Sequence, residues 1–259
     1  MSDHQTSPVL VVEHEPDCGL GLMAGPLAGS VEVVRPYRGE ALPDELANRF
    51  AGLIVLGGSM GAGDDEVAPW LPATRQLLRD AVRTETPTLG ICLGGQLLAA
   101  ACGGTAERGA AGLELGVVAV NPLPAAADDP FLARIEPSAA SALGAVDAPA
   151  WSVHQYHYDA VTRLPADAEL MVTGDRYPHQ GFRVGPMAWG LQYHPEVPTG
   201  VFVDWVERGV AKGDLPSGAA DVLGPVRTGS QQQTRVGENH ARAFLDVVRA
   251  GRSVPAERS

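Results

Sequence analysis

The chain is short of aromatic side chains, of cysteine and of positive charge, and each shortage narrows what it can be. Aromatics make up 5% of its 259 residues, so an interior of this size must be filled by aliphatic and small side chains. The three cysteines, Cys18, Cys92 and Cys102, are an odd number without paired spacing, which argues against a disulfide framework and for a reducing cytoplasm. Lys and Arg number 19 against 31 Asp and Glu, a net charge of −12. A surface of that sign repels phosphate backbones, so nucleic acid is not an expected partner. No run approaches the roughly 18 uninterrupted apolar residues of a spanning helix. The polar start, Met1 to Pro8, lacks a basic-then-apolar leader pattern. No membrane is expected, and the reading places the chain in the cytoplasm.

What the chain does have is 45% apolar residues, enough for a substantial core, and they come in short runs. Residues 8–13, 31–34, 53–56 and 88–91 read as strands buried on both faces, with helices predicted at 20–27, 42–50 and 73–84 between them. That rhythm predicts an α/β fold: three layers, a mostly parallel sheet and helices on both faces. Further strands are predicted at 115–121, 151–153 and 188–193, a hairpin from 171–172 and 180–184, and a short helix at 131–135. A last helix at 239–248 puts Ala241, Phe244, Leu245 and Val248 on one face. The organisation expected is one domain over 8–251, a Gly-, Ser- and Gln-rich loop insertion at 209–235, and disordered ends at 1–7 and 252–259.

The chemistry gathers around Leu89-Gly90-Ile91-Cys92-Leu93-Gly94-Gly95-Gln96. A strand runs into a cysteine flanked by glycines and out into a helix, the pattern of a strained turn that exposes a nucleophile. Gly90 and Gly94 leave room for the neighbouring backbone, and the start of the helix favours the thiolate. Gly57-Gly58 ends the third strand; alone it is an ordinary turn or a source of backbone N–H groups for an oxyanion, with Leu93 N–H as the second donor. His194-Pro195-Glu196 puts a base and a carboxylate on one side of an extended segment, which is what a thiol nucleophile needs. His154 and His157 give only two ligands for a metal, so no metal site is assigned, and residues 154–159 read instead as a crevice wall. Cys102 reads as core, and Cys18 is assigned nothing.

In order and spacing, Gly57-Gly58, the stretch Gly90 to Gln96, and His194-Pro195-Glu196 resemble the class I (triad) glutamine amidotransferases, most of all their stand-alone, GMP-synthase-like members. Pro69-Trp70-Leu71, Gln180-Gly181-Phe182-Arg183 and Trp189-Gly190-Leu191-Gln192-Tyr193 add to the resemblance, which covers residues 8–206. It implies a flavodoxin-like, amidotransferase-type fold and a Cys92, His194, Glu196 triad with Gly58 and Leu93 as oxyanion hole. Gln96, Gly57, Tyr156 and His157 would contact the substrate. Ser59 stands where many members have proline. The implied reaction turns L-glutamine into glutamate and ammonia without a metal or organic cofactor, the ammonia going to a synthetase in trans, because no nucleotide-binding signature is present. Two other readings stay open: a self-sufficient hydrolase of other γ-glutamyl amides, and a non-catalytic protein that binds a partner through the same crevice.

Overall fold

The computed structural model describes residues 7–46, 49–137 and 150–251; residues 1–6 and 252–259, most of the two ends expected to be disordered, lie outside them. In chain order the strands are β1 (Val9–Val12), β2 (Val31–Val34), β3 (Gly52–Val55), β4 (Thr88–Ile91), β5 (Thr105–Arg108), β6 (Glu114–Pro122), β7 (Trp151–His157), β8 (Asp159–Arg163), β9 (Ala168–Thr173), β10 (Gly181–Val184) and β11 (Ala188–Leu191). The helices are α1 (Ala24–Leu27), α2 (Leu71–Arg83), α3 (Leu93–Ala101), α4 (Thr199–Lys212), α5 (Leu223–Thr228) and α6 (Ser230–Gly251).

The fold is α/β with a mostly parallel central sheet, as expected. Strands β2, β1, β3, β4 and β11 lie side by side and parallel. An antiparallel wing of β10, β9, β6 and β7 extends the β11 edge, and β5 pairs with β8 apart from the main sheet. Register positions the site: Val55 pairs with Gly90 and Ile91 with Leu191. The segments that follow β3, β4 and β11 therefore leave one carboxyl edge together, where open α/β sheets bind ligands.

Alternation along the buried strands builds one core on each face. Val9 and Val11 of β1 join Ile54, Leu89 and Ile91 under Ala241, Phe244, Leu245 and Val248 of α6. Leu10 and Val12 face the other way, with Leu53 and Val55, toward Leu77, Leu78 and Ala81 of α2 and Leu97 and Leu98 of α3. Fully burying each such side chain stabilises the fold by roughly 1.5–3 kcal/mol before entropy is counted.

Two expectations are corrected. Residues 209–235 are helical instead of a loop: α4 runs to Lys212, a 3₁₀ segment covers Ser217–Val222, and α5 and the first turns of α6 follow. Leu215, Ala219, Leu223 and Val226 bury with Phe202 and Val206 in a third core against Leu115, Val117 and Tyr156. That burial overrides the weak local propensity that made the segment read as a loop. The helix predicted at 42–50 is absent from the described residues 42–46, and residues 47 and 48 of it lie outside the described residues. Leu46 and Phe50 still anchor in the core, with Phe50 N–H donating to Leu46 O at 3.0 Å; so short a stretch does not offset the cost of nucleating a helix. The strand at 151–153 also extends to His157, so residues 154–157 belong to the sheet wing.

Among the described residues, no helix is long and apolar enough to cross a membrane.

Candidate active site

Cys92 sits between the last residue of β4 and the first of α3, at φ 50° and ψ −108°. A residue with a Cβ rarely holds that conformation and does so at a cost. The neighbourhood imposes it. A Cβ on Gly90 would lie 2.5 Å from Gly94 O, and one on Gly94 would lie 2.0 Å from Val55 O, so only glycine lets strand, turn and helix pass this closely. Cys92 N–H donates to Leu191 O at 2.7 Å, and Cys92 O accepts from Gln96 N–H at 2.9 Å. The sulfur is thereby set at the amino end of α3, where the helix dipole favours negative charge.

His194 follows β11 and is pinned from the other side by its N–H donating to His154 O at 2.9 Å. Its Nδ1 lies 2.7 Å from Glu196 Oε1, and both side chains are buried. Burial alone would lower the basicity of His194, but the Glu196 carboxylate and the neighbouring Cys92 sulfur outweigh it and hold the imidazole well above its ordinary value. A Cβ on Gly57 would sit 3.1 Å from His194 Cε1 and 3.7 Å from Cys92 Cβ, so this glycine keeps the space between ring and sulfur open. The Trp205 ring of α4 meets the His194 ring edge-on, centroids 5.5 Å apart. Glu196 is fixed through its backbone: its carbonyl accepts Leu22 N–H at 2.7 Å. A Cβ on Gly237 of α6 would come within 2.5 Å of Pro195 O, so the last helix rests directly on the His-Pro-Glu backbone.

Gly58 and Leu93 flank the same opening. A Cβ on Gly58 would strike Met60 Sδ at 2.7 Å and Leu93 Cδ2 at 2.9 Å, and Leu93 opens α3, where N–H groups have no partner within the helix. Ser59 N–H donates to the Glu15 carboxylate. Gln96, Tyr156 and His157 line the same cleft of about 600 Å³ as Cys92, His194 and Gly58. Gln96 Nε2 donates to Asp159 O at 2.9 Å and to Gln192 Oε1 at 3.3 Å. Tyr156 stacks on Trp205. Both nitrogens of His157 are taken by the protein, Nε2 by Glu114 at 3.0 Å and Nδ1 by Asp159 O at 2.9 Å. His154 stacks on Phe202 and faces Val197 O through Nδ1; burial first of all takes its pKa down to about 4.

The sequence model of the family described as glutamine amidotransferase class-I matches residues 27–210. The chain belongs to this family. Its curated relatives include γ-glutamyl peptidase 5 of Arabidopsis thaliana, 25% identical over 68% of this chain and 66% of that protein. Another is the glutamine-hydrolyzing GMP synthase of Aeropyrum pernix, 32% identical over 61% of this chain but only 26% of the synthase. The chain thus spans about two thirds of the one and a quarter of the other. Among solved structures, a glutamine amidotransferase from Thermotoga maritima superposes with a TM-score of 0.74 at 27% identity, over 95% of this chain and 99% of that one. One from Methylobacillus flagellatus reaches 0.77 at 25% identity, over 92% and 94%.

In this amidotransferase several residues outside the triad motifs also reach the cleft: Arg108 of β5, Tyr158, and Trp205, Arg208 and Lys212 of α4. Their signal was available. Positions 205, 208, 209 and 212 follow the i, i+3, i+4, i+7 spacing of one helical stripe, but the stripe means something only once α4 is known to stand over Cys92. Other motif residues of the resemblance turn out to hold the scaffold. Trp70 Nε1–H donates to His14 Nδ1 at 2.9 Å, while Trp189 Nε1–H and Arg183 converge on the buried Asp129 carboxylate at 3.1 and 2.9 Å.

Proposed function

We propose that the chain hydrolyses the side-chain amide of L-glutamine through a thioester on Cys92, releasing glutamate and ammonia. Cys92 Sγ attacks the γ-carbonyl carbon while the carbonyl oxygen takes up charge between Gly58 and Leu93 N–H groups. Each such donor is worth about 3 kcal/mol in comparable holes. His194 passes a proton to the departing nitrogen, the C–N bond breaks and ammonia leaves. Water then attacks the thioester with His194 as base, and the thiol is regenerated. Glu196 keeps the ring oriented and its cationic form favoured. Gln96 has both N–H groups committed within the protein, so it meets the substrate's ammonium through Oε1. The ammonia passes to an acceptor on a separate protein, and the enzyme works in a reducing cytoplasm, where Cys92 stays reduced.

The observation that carries this reading is the pairing of a strained, glycine-flanked Cys92 with a buried His194 bonded to Glu196 at 2.7 Å. Glutamate release by the purified protein tests it. Turnover that disappears in Cys92→Ala is expected, and equal turnover in Cys92→Ala would contradict it.

A second reading is favoured by the cleft itself, whose lining takes in Arg208 and Lys212 of α4 besides the triad residues. It makes the natural substrate a γ-glutamyl amide whose amine portion lies against those side chains. A γ-glutamyl amide panel beside glutamine separates the two. Higher kcat/KM on substituted amides without any partner protein favours the second, and a preference for glutamine the first.

A further inference from the structure

Gln192 lies two residues before His194, so alternation along the extended segment turns both toward the same side. Its Nε2 stands 3.7 Å from Cys92 Sγ. Which end of a glutamine amide faces a neighbour must be argued from partners that can act in only one way, and here a chain of such partners exists. Asp159 O is a backbone carbonyl and can only accept. It takes His157 Nδ1–H at 2.9 Å and Gln96 Nε2–H at 2.9 Å. With its nitrogen fixed there, Gln96 presents its second N–H to Gln192 at 3.3 Å, so Gln192 must answer with Oε1. That leaves the Gln192 N–H groups on the side of the sulfur.

The far end is anchored as firmly. His157 Nε2 lies 3.0 Å from Glu114 Oε2, which also accepts Gln180 Nε2–H at 2.8 Å. Gln180 O in turn accepts the backbone N–H of Gln192 at 2.9 Å. Gln192 is therefore tied to buried Glu114 by two routes, one through its side chain and one through its backbone. Gln96, Glu114, His157, Gln180 and Gln192 are all buried, which makes every hydrogen bond in the circuit costly to lose.

We propose that Gln192 is a positioning residue for the nucleophile: its amide N–H, oriented by the circuit from Glu114 through His157, the Asp159 carbonyl and Gln96, donates to the Cys92 sulfur and holds it in its ionised form. The proposal rests on Cys92 being the nucleophile but not on which amide it cleaves. A sulfur anion accepts an N–H better than a neutral thiol does, so the contact favours the reactive form. It also fixes the direction of the sulfur relative to His194 without occupying the face that the substrate approaches.

The test is the pH dependence of Cys92 alkylation by iodoacetamide, read by peptide mass spectrometry on the full chain, with folding followed by circular dichroism. Gln192→Met keeps the length and loses the donor, and Gln192→Glu keeps the shape and the acceptor for Gln96 while placing an anion at the sulfur. The midpoint of the alkylation profile is expected to move up by about one pH unit in Gln192→Met and at least as far in Gln192→Glu. At pH values below both midpoints the rate then falls about tenfold for the smaller shift. A wild-type midpoint in either folded variant overturns the proposal, whatever the outcome with glutamine, because alkylation needs no turnover. Should neither variant fold, the side-chain N–H resonances of Gln192 in the wild-type protein decide. They are expected to shift with pH at the midpoint found for Cys92 alkylation, and resonances that stay flat through it overturn the proposal.

Discussion

The two sides of the cleft are built on different terms. On one side, the elbow between β4 and α3 and the turn after β3 are set by backbone sterics. Gly90 and Gly94 have no room for a Cβ, and Gly57 keeps the gap between Cys92 and His194 clear. On the other side, α4 and α5 form a wall held by ordinary apolar packing in the third core, with Trp205, Arg208 and Lys212 presented along one stripe. The first side fixes where the bond is attacked and tolerates almost no change. The second decides what else fits; its tight point is Gly209, where a Cβ would lie 2.8 Å from Leu215 Cδ1. His154 joins the two: its carbonyl holds the His194 N–H while its ring stacks on Phe202 of the wall.

The sharpest way to break this contrast is Cys92→Ala. Glutamate release is expected to fall by about 10⁴-fold or more, while the thermal midpoint changes little. Gly94→Ala, next to it, is expected to cost activity and stability together, because its Cβ would meet the Val55 carbonyl at 2.0 Å; overpacking of this kind costs about 1–3 kcal/mol or more. A folded, active Gly94→Ala enzyme would show the elbow to be less constrained than described. Glu196→Gln comes next. It removes the carboxylate that raises His194 and leaves the Cys92 sulfur alone to oppose burial, so the pH–rate profile is expected to shift toward lower pH, with kcat down by about 10²–10⁴-fold.

Stability against pH probes the seams of the scaffold. His14, His154 and His240 are held neutral chiefly by burial, each with its pKa lowered to about 4. The unfolded chain takes up these protons near pH 6.5, so their contribution is complete above that value and is lost as pH falls toward 4. At pH 5 each costs about 2 kcal/mol, and urea midpoints at pH 7 and pH 5 measure the sum. His194, raised instead, contributes in the opposite sense: its share is present below about pH 6.5 and lost as pH rises through its folded value. His240→Gln is expected to flatten the acid limb by its one share. The smallest effect belongs to the wall. Lys212→Ala is expected to change the ratio of kcat/KM between a substituted γ-glutamyl amide and glutamine by about tenfold or less, with little loss of stability, since Lys212 is exposed.

The same contrast explains what could be read in advance. The buried run at residues 9–12 and the glycines around Cys92 mark the parallel half and the elbow, because a strand buried on both faces and a strained turn each demand particular residue types at fixed spacing. The His-Pro-Glu segment was legible for the same reason. Residues 209–235 were not, because Leu215, Leu223 and Val226 become a core only when β6 and β7 supply the opposing face. Gln192 and Asp159 were legible only as members of the Trp189 to Tyr193 stretch and of the crevice wall at 154–159: their roles rest on one side-chain amide and one backbone carbonyl, which gain partners only in the folded chain.

The account's central claim is that one residue, Cys92, attacks a γ-carboxamide from a geometry fixed by the elbow and by His194. Treating the protein with a glutamine-mimicking electrophile and mapping the adduct by peptide mass spectrometry tests it most directly. One adduct, on the peptide that carries Cys92, blocked by excess L-glutamine and strongly slowed in His194→Ala, is the predicted result. No adduct, or labelling of Cys18 or Cys102 that glutamine does not prevent, would contradict it.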